Sequence, residues 1–139
     1  MNPPPIVLAS GSPRRKQLLE MLRIPFRVVP PDVDEHVLPG EAPELYVRRL
    51  SRAKAEAVAL RAPGDVILAA DTTVVLDGAI FEKPQSPAHA VEMLSRLQGR
   101  THEVMTAVAV ISAAIGACMG APAHKNELIT KRPAGAGLP

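Results

Sequence analysis

LASGSPRRKQLL, residues 8–19, changes its periodicity halfway through, and that change decides how the chain is read. The apolar run Ile6-Val7-Leu8 leading into it predicts a short buried strand. Ser12 then suits a helix N-cap, Pro13 the first helical position, and Leu18, Leu19 and Leu22 an apolar helical stripe. Arg14, Arg15 and Lys16 fall in the first turn, where the helix dipole is positive and each cation costs ~0.3–1 kcal/mol at low salt. An anion bound at that helix start reverses the sign, because free N–H groups, serine hydroxyls and an arginine fork converge on one phosphate. Ser10-Gly11-Ser12 is small enough for the backbone to approach such a ligand closely. The competing reading is a solvated helix face with the arginines turned into water. The G-x-x-x-x-G-K spacing of a Walker loop is absent.

Outward from this unit, strands and helices alternate. Residues 26–29 predict a second strand, ended by Pro30-Pro31. Pro43 opens a helix with the apolar line Tyr46, Leu50, Ala53, Ala57 and Leu60, and with Arg48, Arg49, Arg52 and Lys54 on a basic face. Residues 66–70 read as a buried strand, residues 72–76 continue extended, and Asp77-Gly78 is a hairpin turn into residues 79–82. Ser86 and Pro87 start a third helix with Ala90, Met93, Leu94 and Leu97 inside and Gly99 as its stop. Residues 104–111 read as a further strand. The interleaving predicts an α/β fold, a mixed sheet with flanking helices.

Composition excludes several classes. The chain has 139 residues with 47% apolar content, enough for one domain with a core. No apolar run approaches the roughly 18 residues of a membrane span. The Met-Asn-Pro-Pro-Pro start lacks a signal-like core, and the single cysteine, Cys118, has no internal partner, so a cytoplasmic location without a membrane is expected. A net charge of +2 and three aromatics (Phe26, Tyr46 and Phe81) argue against a nucleic-acid partner that works by basic stripe and stacking.

Asp71 follows directly on a buried run, at the carboxyl end of a core strand, where α/β proteins place ligands, and an acid in that position needs a partner. Asp32, Asp34 and Glu35 form a second acidic cluster, for which a solvated turn is the simpler reading. Two carboxylates from separate segments beside a phosphate cradle suit Mg²⁺. Lys54 and Lys83 are unassignable from position alone.

The blocks LASGSPRRKQLLEML, VDE, YVRRLSRAKA, AADTTVVLDGAIFEKP and AVEMLSRLQGRTHEVMTAVAV together resemble the Maf family of nucleoside triphosphate pyrophosphatases, over residues 6–110. The resemblance implies the inosine-triphosphate-pyrophosphatase-like fold, with a nucleotide cleft along a mixed sheet. It implies cleavage of a nucleoside triphosphate to the monophosphate and pyrophosphate with a divalent metal cation, Mg²⁺ or Mn²⁺. It assigns Ser10, Arg14 and Arg15 to the triphosphate, Lys54 and Lys83 to phosphate binding, and Glu35 and Asp71 to the metal, with Asp71 also the catalytic proton acceptor. Arg14 and Thr72 match the branch acting on dTTP and UTP; the 7-methyl-GTP branch tends to a Trp and a Gln there.

Family chains continue past the strand at residues 104–111 with further elements and a cleft-closing segment, which residues 112–139 do not resemble. We therefore expect a partial Maf-like domain over residues 1–111, incomplete in its C-terminal part, and a divergent, poorly ordered tail over residues 112–139, as from an alternative exon, frameshift or truncated product. The strand at residues 104–111 is then an uncovered edge inviting self-association, with a homodimer as the candidate assembly. The rival to an active enzyme is a catalytically impaired nucleotide-binding or regulatory module.

Overall fold

A computed structural model describes residues 5–112 and 124–134. The element order is β1 (Ile6–Ala9), α1 (Pro13–Met21), β2 (Phe26–Val28), α2 (Pro43–Ala59), β3 (Val66–Leu76), β4 (Ala79–Phe81), α3 (Pro87–Leu97), β5 (His102–Ser112) and β6 (His124–Ala134). The strands form one mixed six-stranded sheet in the order β2-β1-β3-β5-β6, with β4 added to β3. β1 runs parallel to β2 and β3, and β5 runs antiparallel to both β3 and β6. The expected α/β class and mixed sheet are those observed.

Local signals act as the sequence implies. Ser12 caps α1 by accepting from the Arg15 N–H, Ser86 caps α3 by accepting from the His89 N–H, and a proline opens each helix. Asp77 and Gly78 both have positive φ, the type I′ geometry that matches the twist of a two-residue hairpin, and Arg100 pairs with Asp77 there.

α2 lies across one face of the sheet. Ala55 and Val58 pack with Val7, Ala9, Ile67, Ala69, Ala109 and Ile111, while Tyr46, Val47 and Leu50 pack with Val75, Met105 and Ala107. The helix is turned relative to the expected stripe. Its buried residues are Tyr46, Val47, Leu50, Ser51, Ala55 and Val58; Ala53 and Ala57 are only half-buried, and Leu60 is 87% exposed. Two lines of helical spacing run side by side here, and the seam that includes Val47, Ser51, Lys54 and Val58 carries a cation, which is why an apolarity count misses it.

Two other expectations need correction. Neither α1 nor α3 has a buried residue; Leu18, Leu22 and Leu94 are exposed, and Ala90, Met93 and Leu97 are half-buried. Periodicity defines which face of a helix is apolar, but not that a partner covers it. Nor is β5 an uncovered edge: β6 pairs with it over its whole length, from His102↔Ala134 to Ser112↔His124. The argument for self-association from a bare β5 edge therefore loses its premise. The polar sequence of β6 and its Pro133 hid the strand, and both are tolerated at the outer edge of a sheet. The rest of the expected tail, residues 113–123 and 135–139, lies outside the described residues.

One consequence of the strand lengths places the site. β1 pairs with β3 only as far as Ala9↔Ala69, and β4 begins to pair with the same edge at Val74↔Phe81. Residues 70–73 of β3 therefore have no strand partner on that side, and the sheet has a notch beyond the carboxyl end of β1.

Candidate active site

Asp71 sits at this notch. It stands mid-strand in the eleven-residue β3, opposite Ala107 of β5, rather than at a strand end as expected. The expected setting holds in another form, because the parallel partner β1 has already stopped. Alternation along β3 turns Asp71 toward α2 and Thr72 to the opposite face. The Asp71 side chain is 8% exposed and Lys54 of α2 is 13% exposed; Lys54 Nζ donates to Asp71 Oδ1 at 2.8 Å and lies 3.0 Å from Glu35 Oε1. Lys83, just beyond β4, donates to Glu35 Oε2 at 3.1 Å. In residues 31–37 the odd-numbered side chains face inward and the even-numbered ones outward. Glu35 is thereby separated from Asp32 and Asp34, and Asp34 pairs with His36 at the surface.

The notch is closed from the α1 side. Arg15 Nη1 donates to the Ala70 carbonyl and Nη2 to Thr72 Oγ1, each at 3.0 Å, filling the vacant ladder position of β3. Thr72 Oγ1 is also 2.9 Å from Thr106 Oγ1 of β5. Ser10 is buried, and its Oγ accepts from the Ser12 N–H at 3.0 Å. Ser10, Gly11, Ser12, Arg15, Lys54 and Lys83 line one hollow; Tyr46, Thr72, Phe81 and Gln85 line a second, and Glu35 and Lys83 border both. Ser10, Arg15, Glu35, Lys54, Asp71, Thr72 and Lys83 are thus brought together. Arg14 is not: it is exposed on α1 and lines neither hollow. Successive helical residues point about 100° apart, which separates Arg14 from Arg15 on the surface of α1. The reading from residue types alone missed the Tyr46 hydroxyl, Thr106, Phe81 and Gln85. Only Tyr46 offered a signal, as the single tyrosine of the chain.

The two arginines separate in a stability experiment. Arg15→Ala removes two hydrogen bonds and should lower the melting temperature of the ligand-free protein. Arg14→Ala removes a cation from a first turn that has no acidic residue and should raise stability by ~0.3–1 kcal/mol at low salt. Parallel thermal melts read both; a clear loss in Arg14→Ala would make Arg14 a structural residue and end the dipole argument.

The two carboxylates differ electrostatically. Burial pushes the Asp71 carboxyl above its ordinary value, and the hydrogen bond and charge of Lys54 only partly oppose this. Burial also pushes Glu35 upward, but the hydrogen bonds from Lys54 and Lys83 outweigh it and hold Glu35 below the ordinary value. Groups driven apart in this way are suited to different tasks, with Asp71 inclined to take a proton and Glu35 to stay ionised.

The donor set also fits a hard divalent cation. Among the described residues no group of three or more His, Cys, Asp or Glu side chains could hold a metal. Two carboxylates that already share one cationic centre, Lys54 Nζ, are the small protein contribution typical of Mg²⁺ or Mn²⁺ sites completed by substrate oxygens and water.

The fold is shared with solved structures. The Ham1 protein of Staphylococcus aureus superposes with a TM-score of 0.58 at 16% identity, covering 95% of this chain and 72% of that one. A HAM1 protein from Coxiella burnetii gives 0.54 at 17% identity, covering 97% and 75%. Residues 5–131 match the family described as Maf-like protein, and the chain belongs to that family. A dTTP/UTP pyrophosphatase of Pectobacterium atrosepticum is 55% identical over 106 residues, 76% of this chain and 54% of the relative. One of Burkholderia thailandensis is 50% identical over 121 residues, 79% and 58% respectively. The chain spans little more than half the length of these curated relatives. No helix among the described residues is long and apolar enough to cross a membrane.

Proposed function

We propose that this chain hydrolyses nucleoside triphosphates, dTTP and UTP first among them, to the monophosphate and pyrophosphate with the help of Mg²⁺ or Mn²⁺. The observation that carries the reading is the single ammonium of Lys54 held between the carboxylates of Asp71 and Glu35, beside a cradle of small residues and Arg15. Three features follow from it. The Ser10-Gly11-Ser12 backbone, the start of α1 and the cations of Arg15, Lys54 and Lys83 suit the triphosphate, whose negative charge grows on the leaving pyrophosphate as the α–β bond breaks. Asp71 accepts the proton of the water attacking the α-phosphorus, a task for which its raised affinity for protons prepares it. Glu35 stays ionised, and with Asp71 it would hold the divalent cation, which supplies charge neutralisation and a more acidic water. The names of the relatives support pyrimidine nucleotides, and Thr72, bonded to Arg15 and near Thr106, lines the hollow that Glu35 and Lys83 border.

The test is pyrophosphate release by the purified chain against a nucleoside triphosphate panel, with Mg²⁺, Mn²⁺ or chelator. Release from dTTP and UTP, lost on chelation, is expected. Nucleotide binding without release would leave a binding module, and a preference for 7-methyl-GTP would overturn the choice of branch.

A further inference from the structure

Residues 29–42 join β2 to α2 without helix or strand, yet they carry Glu35. A carboxylate on such a segment has a defined position only where its backbone is tied down. The ties come from α2. The Tyr46 hydroxyl donates to the carbonyl of Glu35 itself at 2.6 Å. One turn further on, Arg49 Nη2 donates to the carbonyl of His36 at 2.9 Å, and the same guanidinium holds Glu41 at 2.7 and 2.9 Å. Two turns beyond Tyr46, Lys54 meets the carboxylate of Glu35. One helix therefore holds Glu35 at both ends, the backbone through Tyr46 and the charge through Lys54.

The mount is rigid. Tyr46 is 7% exposed and packs among Val47, Leu50, Val75, Met105 and Ala107, leaving its hydroxyl with little freedom. Phenylalanine would fill that packing equally well, so core formation does not account for the hydroxyl. What the hydroxyl adds is one bond, and it ends on the residue that carries the carboxylate.

We infer that Tyr46 is a positioning residue, fixing the backbone of Glu35 so that its carboxylate meets Asp71 and Lys54 at the separation a divalent cation requires. Arg49 does the same for the next peptide. The inference rests on the metal-dependent reading above and adds to it residues that act on the backbone behind a metal-holding carboxylate. Partners of this kind, one step removed from a ligand, change metal affinity by about 10–100-fold when lost.

The test uses the full chain and Tyr46→Phe, with Mn²⁺ and the non-hydrolysable analogue α,β-methylene-dTTP as probes. Mn²⁺ affinity is read by electron paramagnetic resonance with the analogue bound, and analogue affinity is read by calorimetry with chelator present. The expected result is Mn²⁺ binding weakened about tenfold, with metal-free analogue binding unchanged within twofold. A purely structural role would either spare Mn²⁺ or weaken both ligands together, and either result overturns the assignment. Failure of the wild-type chain to bind Mn²⁺ with the analogue would instead sink the metal-dependent reading, and this inference with it.

Discussion

Asp71→Asn is expected to reduce pyrophosphate release by at least ~10²-fold, the scale on which loss of a positioned general base is felt, without lowering the melting temperature. The two halves have one cause. Folding buries Asp71, and burial raises its pKa above the ordinary 3.8 despite the Lys54 ammonium at 2.8 Å. A carboxyl with a raised folded pKa favours the fold fully below its unfolded value, and that contribution is lost as pH rises through the folded value. At neutral pH the ionised group therefore works against folding, and asparagine, of the same shape, removes that cost while Lys54 keeps the Glu35 carboxylate at 3.0 Å as its counter-charge. Melts in chelator should show the variant equal to or above wild type at pH 7. The difference should close as the pH falls below about 3.8, where wild-type Asp71 carries its proton in both states. Near-normal turnover would remove Asp71 from the chemistry, and a large drop in melting temperature at pH 7 would make its charge a structural necessity.

That combination, a charge kept against the interest of the fold, also explains which parts of the molecule were legible in the sequence. Ser12-Pro13, Ser86-Pro87 and Asp77-Gly78 were readable because caps and tight turns are decided within a few residues. Asp71 was conspicuous because an acid at the end of a Val-Ile-Leu-Ala-Ala run has no local explanation. Lys54 was grouped with Arg48, Arg49 and Arg52 and could not be assigned, since helical periodicity does not show that the facing strand supplies its counter-charge. Glu35 could not be told from Asp32 and Asp34 by residue type; the inward and outward alternation of an extended loop selects it. Arg14 and Arg15 looked equivalent, and only the notch in β3 distinguishes them, because it is produced by the lengths of β1 and β4 on either side. The family resemblance supplied Glu35, Lys54 and Lys83, which residue spacing could not. The structure adds how they meet.

Lys54→Met should produce the largest loss of stability of any change at the site. Methionine keeps the unbranched length and removes the ammonium, leaving Asp71 buried without its cation and Glu35 with only Lys83, which is 83% exposed. Removing one partner of a buried pair costs about 3–5 kcal/mol. Lys54 is still 13% exposed, so the lower end, about 3 kcal/mol or roughly 10 °C in melting temperature for a chain of this size, is expected at pH 7. The same reasoning fixes the sign of two further measurements. Adding Asp71→Asn to Lys54→Met should recover much of the lost stability, because the uncompensated carboxylate is gone; each change alone then misreports the pair, and the cycle of both reads their coupling. Mn²⁺ should raise the melting temperature of Lys54→Met more than that of wild type, because the cation meets two carboxylates no longer satisfied by an ammonium. In the wild-type chain Asp71 and Glu35, which would hold the cation, are already paired with Lys54, so the cation would have to compete with that ammonium. A Lys54→Met chain that melts like wild type would show that the ion pair does not hold the site. Equal stabilisation of both proteins by Mn²⁺ would show that the ammonium and the divalent cation do not share these carboxylates.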